Sequence, residues 1–277
     1  MSDEVVSFVK RNARRLFELW FYGEILSKDL QFQWQRDDAY DYYDEEEDES
    51  YKEILAKLSD TYGIEILVEG LGEQVLHDPL ESHLRLGAAA VLSCELGIYS
   101  PSIIRKSHLE KVTLCGGIRG ENAGCAGQAH PHAGEIVIEV APLRGDWRKR
   151  RMCIHHEIFH LVDYFDDVLQ YIDPWWESLN EKGFAYSKQN LNRGGSNRPG
   201  FVSAYAMSAV QEDKAEVFCH MIIEYKKLEQ LSQSDVFLRR KIDRMKNLLR
   251  TFSPEFDQGF WEERLKAKPV SPHACGL

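Results

Sequence analysis

The stretch Cys153-Ile154-His155-His156-Glu157-Ile158-Phe159-His160-Leu161-Val162-Asp163 determines how the rest of the chain is interpreted. It contains the pattern H-E-x-x-H, in which His156 and His160 are four residues apart. On a helix, residues at this spacing lie on one face about a turn apart, so two imidazoles can bind one metal ion. Glu157 then projects toward the open position of the metal, where a carboxylate can accept a proton from a bound water. The pattern therefore predicts a metal site, provided that the chain also supplies a helix, a third ligand and a cleft.

A long helix is predicted around this motif. Residues 147–167 contain neither proline nor glycine, and Asp146 can cap the helix N-terminus. The basic block Arg148-Lys149-Arg150-Arg151 opposes the helix dipole, so we expect its charges to point into solvent. His155 faces away from the metal side and is expected to be a hydrogen-bonded structural histidine. The apolar stripe is broad enough for burial between two layers and consists of Met152, Ile154, Ile158, Phe159, Leu161, Val162 and Phe165.

A second helix, predicted over residues 205–220, offers carboxylates for a third metal ligand. Glu212, Glu216 and His220 share one face at four-residue spacing. Two charged and unpaired acids in the interior would cost stability, and a cation between them and the histidine pair removes that cost. Surface placement of Glu212 is the alternative, but together with the first helix the pattern favours a metal site.

These two segments resemble those of the gluzincin metallopeptidases, in particular the catalytic domain of the anthrax lethal factor type. In that group an Asp closely follows H-E-x-x-H, and a later helix carries a Tyr, the ligand Glu seven residues on, and an Ala-Glu pair. The resemblance covers residues 150–220. A similar set that adds Asp173-Pro174-Trp175 and Gly200-Phe201-Val202-Ser203 resembles uncharacterised bacterial putative zinc peptidases and implies no substrate. The residues that match the gluzincin pattern are His156, Glu157, His160, Asp163, Tyr205, Glu212 and Ala215-Glu216.

The resemblance implies a single Zn²⁺ ion bound by His156, His160 and Glu212. It also implies Glu216 as a hydrogen-bond partner of a ligand histidine, and Asp163 is placed to accept an N–H from such a histidine as well. Because Glu212 is assigned by register alone, Glu216, one turn further on, is the alternative third ligand.

The same resemblance implies peptide hydrolysis, with Glu157 as general base and Tyr205 as donor to the substrate oxyanion. Zinc lowers the pKa of a bound water toward ~7, and Glu157 can accept its proton as the water attacks a carbonyl. A buried core tyrosine is the alternative for Tyr205. We therefore expect a zinc-dependent peptidase that acts on a peptide or protein substrate. A non-catalytic zinc-binding regulatory protein and a zinc hydrolase of a small amide or ester are the alternatives.

Composition and charge agree with a modest soluble enzyme and give no indication of nucleic acid binding. The net charge of −11 depends on nine acids in residues 37–49, without which 34 basic residues face 36 acidic ones. We expect an N-terminal helical segment over residues 1–36 and an acidic linker or loop over residues 37–50. Neither a signal peptide nor an apolar stretch of the ~20 residues that span a bilayer is evident. Scattered cysteines favour reduced thiols in a cytoplasmic protein.

Residues 51–277 are predicted to form an α+β, zincin-like metallopeptidase domain. A small mixed sheet with helices would extend to about residue 165, a mainly helical lobe would follow, and the metal cleft would lie between them. The run Glu135–Val140 is the candidate edge strand for pairing with a peptide, with an interior strand as the alternative. Cys115, Cys125, His130 and His132 are expected in a structural loop, with a second metal or redox pair as the alternative. Residues 190–200 would form either a lid or a plain connection. Further elements are predicted at 51–60, 64–68, 79–96, 111–114 and 234–250.

Overall fold

The structure, a computed structural model, describes residues 45–68, 77–78, 80, 82–118, 126–140, 147–165, 171–192 and 198–266. Short 3-10 turns occur at Pro131–Ala133, Lys188–Asn192 and Tyr205–Met207. The helices in chain order are α1 (Glu45–Tyr62), α2 (Ser82–Leu96), α3 (Pro101–Lys106), α4 (Trp147–Phe165), α5 (Pro174–Ser178), α6 (Val210–Ile223), α7 (Tyr225–Ser232), α8 (Val236–Phe252) and α9 (Gln258–Lys266). The strands are β1 (Glu65–Val68), β2 (His77–Asp78), β3 (Lys111–Cys115), β4 (Gly117–Ile118), β5 (Gly127–His130) and β6 (Glu135–Glu139). The predicted α+β fold class is confirmed.

Four strands form one mixed sheet in the order β1-β3-β6-β5, and β2 pairs with β4 in a separate antiparallel ribbon. In the larger sheet β1, β3 and β6 are parallel, whereas β5 runs antiparallel to β6, with Gly127 opposite Ile138 and His130 opposite Glu135. The candidate edge strand at 135–140 is therefore an interior strand, and within the described residues the two outer strands are β1 and β5. The misassignment has a physical cause: residues 127–130 lack the β-branched and aromatic side chains that signal a strand.

The first described helix begins inside the acidic run. Residues 45–50, expected in a linker or loop, form the first turns of α1, which begins six residues before the predicted start at Tyr51. Carboxylates are favourable in the first turn of a helix because they face the positive end of its dipole. Residues 1–44, which include the predicted N-terminal segment and most of the acidic run, lie outside the described residues. The predicted cap at Asp146 and the centre of the 190–200 segment, residues 193–197, lie outside them as well.

The motif helix α4 lies at the centre of the molecule. One continuous apolar core includes Leu92 of α2, Ile136 of β6, Phe159 of α4, Phe218 of α6 and Ile242 of α8. The sheet with its helices and the later helices therefore share this core. Among the described residues, no helix has both the length and the apolar character needed to cross a membrane.

The basic block at the start of α4 is not a solvated face. Arg148 forms two hydrogen bonds to Glu224, of 2.5 and 2.6 Å, and Arg151 pairs with Glu95. Arg150 is buried, and only Lys149 is exposed. The prediction of a solvated face is wrong because Glu224 and Glu95 supply carboxylates from other elements. These carboxylates compensate the positive charges of Arg148 and Arg151, which would otherwise oppose the helix dipole. His155, by contrast, is the predicted buried structural histidine.

Candidate metal centre

Helices α4 and α6 pack side by side and bring their polar faces together. The ring centroids of Phe159 and Phe218 lie 5.0 Å apart with an angle of 31° between the ring planes, and Ala215 is fully buried. A small side chain at position 215 lets the two helix backbones approach closely. Because Glu212 and Glu216 lie one turn apart on either side of Ala215, both carboxylates face α4.

Three side-chain atoms converge between these helices. His156 Nε2 lies 3.0 Å from His160 Nε2 and 3.0 Å from Glu212 Oε2, and His160 Nε2 lies 3.4 Å from the same oxygen. Atoms that bind one tetrahedral zinc at about 2.0–2.1 Å lie about 3.3 Å apart. Two imidazoles and one carboxylate are also a common zinc donor set that leaves one position open. The three residues therefore fit a zinc ion in both spacing and chemistry.

Glu216 contacts the opposite side of the His156 ring. Its Oε1 lies 3.2 Å from His156 Nδ1, so the two nitrogens of this imidazole face different carboxylates. A hydrogen bond of this kind fixes the orientation and tautomer of a metal-binding histidine. Cys219 lies nearby. One possible ligand atom from each of Cys219, Glu216 and His156 lies within 4.8 Å of the other two. Glu216 and Cys219 thus form, with His156, a second group of ligand-type atoms next to the first.

The electrostatics of the three converging residues favour positive charge between them. Burial would lower the pKa of His156, but hydrogen bonds to Cys219, Glu212 and Glu216 outweigh it and raise this pKa well above its ordinary value. Burial would raise the pKa of Glu212, but hydrogen bonds from His156 and His160 hold it well below its usual range. The arrangement therefore accommodates a cation.

Glu157 is buried beneath the edge strand. Its side chain lies against Gly127 of β5, where a β-carbon would meet Glu157 Oε1 at 2.8 Å and Cys153 Sγ at 2.6 Å. Burial raises the pKa of Glu157 above its ordinary value, although His156 and His160 oppose the shift. Gly127 is a site residue that the sequence interpretation missed. The signal available was a glycine shortly before the strongly apolar strand β6, since such a glycine often marks a close approach of the backbone to another group.

Tyr205 lies at the open side of the site, on a 3-10 turn that precedes α6. Its ring centroid is 5.8 Å from that of His156, and burial together with the nearby Glu212 carboxylate raises the pKa of its hydroxyl above the ordinary value. The side chain is 45% exposed, so the alternative of a buried core tyrosine is wrong. Burial would raise the pKa of Glu216, but His156 and, to a lesser degree, the Ser203 hydroxyl lower it below its ordinary value.

Asp163 does not contact a histidine of the site. It forms a buried ion pair with Lys214 of α6, and Lys214 Nζ lies 3.3 Å from Asp173 as well. An ion pair with Lys214 therefore takes the place of the expected hydrogen bond with a ligand histidine, because a buried ammonium group needs carboxylate partners. His160 Nδ1 is buried and has no hydrogen-bond partner among the residues that the structure describes.

Tyr171 is a further residue that the sequence interpretation missed. It adopts a left-handed backbone conformation with φ of 64°, which is rare for an aromatic residue. Its hydroxyl donates to the carbonyl oxygen of His160 at 3.2 Å, and its ring lies 5.9 Å from the His160 ring. The ring also packs against Tyr164, whose hydroxyl is 2.8 Å from His132 Nε2. Aromatic side chains therefore line the site next to His160.

Two of the residues expected in a structural loop, Cys115 and His130, lie in strands of the sheet. Cys115 ends β3 opposite Glu139, whereas His130 ends β5 opposite Glu135. These two positions lie at opposite ends of β6, about 13 Å apart at ~3.3 Å per residue. A second metal site that joins Cys115 to His130 is therefore excluded, and Cys125 lies outside the described residues.

His155 occupies the far side of α4 and is fully buried. Its Nδ1 lies 2.6 Å from the Tyr99 hydroxyl and its Nε2 lies 2.8 Å from Glu95 Oε2. The prediction of a hydrogen-bonded structural histidine is confirmed. This network anchors the motif helix to α2 on the side away from the converging residues.

Comparison with known proteins gives both a family and a structural relative. A family model described as "Putative zinc-binding metallo-peptidase" matches residues 104–252, which include α4 and α6. The fold is similar to the crystal structure of a putative zinc-binding metallo-peptidase from Bacteroides caccae, with a TM-score of 0.55 and 15% sequence identity over 81% of this chain and 93% of that chain. At that identity the likeness concerns the fold alone. No curated protein matches the chain. Because the family model matches more than half of the sequence, the chain belongs to the family of putative zinc-binding metallo-peptidases.

Proposed function

We propose that the protein is a zinc-dependent peptidase with a single Zn²⁺ ion bound by His156, His160 and Glu212. The observation that carries the proposal is the convergence of His156 Nε2, His160 Nε2 and Glu212 Oε2 within 3.4 Å of one another. A glutamate as third ligand, supplied by a later helix, would make the enzyme a gluzincin. Glu216 is then the partner that orients His156, through the contact between its Oε1 and His156 Nδ1.

The residues around the ion have the properties that peptide hydrolysis requires. Bound zinc would lower the pKa of a coordinated water toward ~7. Glu157 would accept a proton from this water and deliver it to the leaving amine. Burial suits it to this role because a raised carboxylate pKa lies closer to the operating pH. The Tyr205 hydroxyl donates a hydrogen bond to the oxyanion that develops on the substrate carbonyl, and one such donor typically contributes about 10²–10³ in rate.

The edge strand β5 is the proposed site for the backbone of the peptide substrate. It is the last strand of its sheet in the described part of the chain, and Gly127 brings its backbone against Glu157. An extended peptide can add to such an edge through main-chain hydrogen bonds. A peptide or protein substrate is therefore favoured over a small amide or ester.

The experiment that tests this proposal compares the wild type with Glu157→Gln, which keeps the shape of the side chain. A lysate is incubated with each protein, new N-termini are identified by mass spectrometry, and bound zinc is quantified in parallel. We expect one zinc per chain in both proteins and new N-termini with the wild type alone. Hydrolysis that survives in Glu157→Gln would refute the role of Glu157. Equal zinc without cleavage by either protein would favour a regulatory zinc protein or a small-molecule hydrolase.

A further inference from the structure

A buried ion pair lies next to the proposed zinc ligand on α6. Asp213 directly follows Glu212, and its Oδ2 lies 2.6 Å from Lys241 Nζ of α8, with both side chains fully buried. The same oxygen accepts hydrogen bonds from Trp176 Nε1 at 2.9 Å and from the Tyr186 hydroxyl at 2.7 Å. The first turn of α6 is therefore fixed to three other parts of the structure through a single carboxylate.

Lys241 has a second partner, which belongs to a different segment. Its Nζ donates to the carbonyl oxygen of Gly200 at 2.8 Å and lies 3.7 Å from the centre of the Phe201 ring. Gly200 also donates from its backbone N–H to Asp235 Oδ2 at 2.6 Å. Its φ is +89°, and a β-carbon would lie 2.9 Å from Cβ of Phe237, so only glycine fits here. Both the N–H and the carbonyl oxygen of Gly200 are therefore hydrogen-bonded to side chains in α8 or at its N-cap.

The segment that starts at Gly200 leads straight into the proposed active site. The Tyr205 ring centroid lies 5.8 Å from that of His156, and His156 Nε2 lies 3.0 Å from Glu212 Oε2. Two further contacts hold the segment: the Ser203 hydroxyl accepts from the N–H of Ala206 at 3.0 Å, and the carbonyl oxygen of Met207 accepts from the N–H of Ser187 at 3.1 Å. Lys241 therefore joins this segment, through Gly200, to the helix turn that carries Glu212, through Asp213, and Tyr186 joins the same two parts through Phe201 and Asp213.

We infer that Lys241 is a positioning residue that sets Tyr205 relative to Glu212. A buried ammonium group has three N–H donors to satisfy, and the acceptors that Lys241 uses, Gly200 O and Asp213 Oδ2, belong to the two segments that meet at the site. Removing it frees the carbonyl of Gly200, so the Tyr205 side chain no longer holds one position. The catalytic consequence rests on the proposed function, but the position of Tyr205 does not.

The test places 3-fluorotyrosine at position 205 and records its ¹⁹F NMR signal. Lys241→Met is compared with Asp213→Asn/Lys241→Met, which leaves no unpaired buried charge and so keeps the chain folded if the single variant does not fold. The control is Glu95→Gln/Arg151→Met, which removes a buried ion pair from the far face of α4. We expect a single narrow signal in the wild type and in the control, and a shifted or broadened signal in both Lys241 variants. An unchanged signal in the Asp213→Asn/Lys241→Met protein, or an equal change in the control, would overturn the inference.

A kinetic cycle gives the second readout once a peptide substrate is known. Asp213→Asn/Lys241→Met should lower kcat toward the ~10²-fold loss expected for Tyr205→Phe, with little change in zinc content. Adding Tyr205→Phe to that variant should cause no further loss, because the donor is already misplaced. Full additivity would contradict the inference. If the wild type hydrolyses no peptide, the proposed function fails, and the ¹⁹F signal still decides whether Lys241 positions Tyr205.

Discussion

Replacing Gly127 by alanine is predicted to displace Glu157 without disturbing the residues that would bind zinc. The added β-carbon would lie 2.6 Å from Cys153 Sγ and 2.8 Å from both Cγ and Oε1 of Glu157. Non-bonded carbon atoms prefer separations of about 3.5–4.0 Å, so the overlap with Glu157 is about 1 Å. Both contacted groups are side chains, which move more readily than the paired strand β5. Glu157 is therefore expected to shift by about the same distance.

A shift of this size affects catalysis more than folding. Misplacing a catalytic group by about 1 Å can lower the rate about 10²-fold, whereas overpacking typically costs about 1–3 kcal/mol of unfolding free energy. We expect Gly127→Ala to lose about 10²-fold in kcat/KM, to keep one zinc per chain and to remain folded at 25 °C. Peptide hydrolysis, metal analysis and urea denaturation measure the three quantities.

The matched control is the double variant Gly127→Ala/Cys153→Ala. Removing the sulfur relieves one of the two close contacts and should recover unfolding free energy, but the contact with Glu157 remains and activity should stay low. Wild-type activity in Gly127→Ala, still abolished by Glu157→Gln, would refute the reasoning that β5 holds the carboxylate in place.

Three further predictions concern the metal and the buried charges. Glu212→Ala should lower zinc affinity by more than the 10–100-fold expected for Glu216→Ala, and the reverse order in a chelator competition assay would make Glu216 the ligand. Zinc at about 1,000 times its Kd should raise the unfolding free energy by about 4 kcal/mol, and superimposable melting curves with and without chelator would contradict this. Burial raises the pKa of Glu95, but His155 and Arg151 outweigh it, so the net pKa lies below its ordinary value of 4.5. The stabilisation by this carboxylate is therefore present above about pH 4.5 and lost below it. Glu95→Gln should destabilise the protein near pH 7, and the difference in denaturation midpoint should shrink as pH falls through that range.

The helices that carry the site were predictable because their signals are local. The period of apolar residues around His156 and around Ala215 indicates two buried helices, and the four-residue spacing of the polar residues places them on one face. Strand β6 was also evident from its apolar residues. Its place in the sheet was not, because the edge is formed by Gly127–His130, a strand whose residues have low β propensity.

The partners of buried charges could not be predicted from the sequence. Asp163 pairs with Lys214 and Asp213 with Lys241, across 51 and 28 residues respectively. Such pairs depend on how helices cross, and a charged residue on a helix gives no local sign that it is buried. The basic block that begins with Arg148 was misplaced in solvent for the same reason.

Diffraction from crystals of the zinc-loaded protein, with anomalous differences recorded on both sides of the zinc absorption edge, tests the proposed zinc site. We expect one anomalous peak, about 2.0–2.1 Å from Nε2 of His156, Nε2 of His160 and a carboxylate oxygen of Glu212. A peak on the Nδ1 side of His156, between Glu216 and Cys219, would contradict the ligand assignment. The absence of any peak near the two histidines would contradict the zinc site itself.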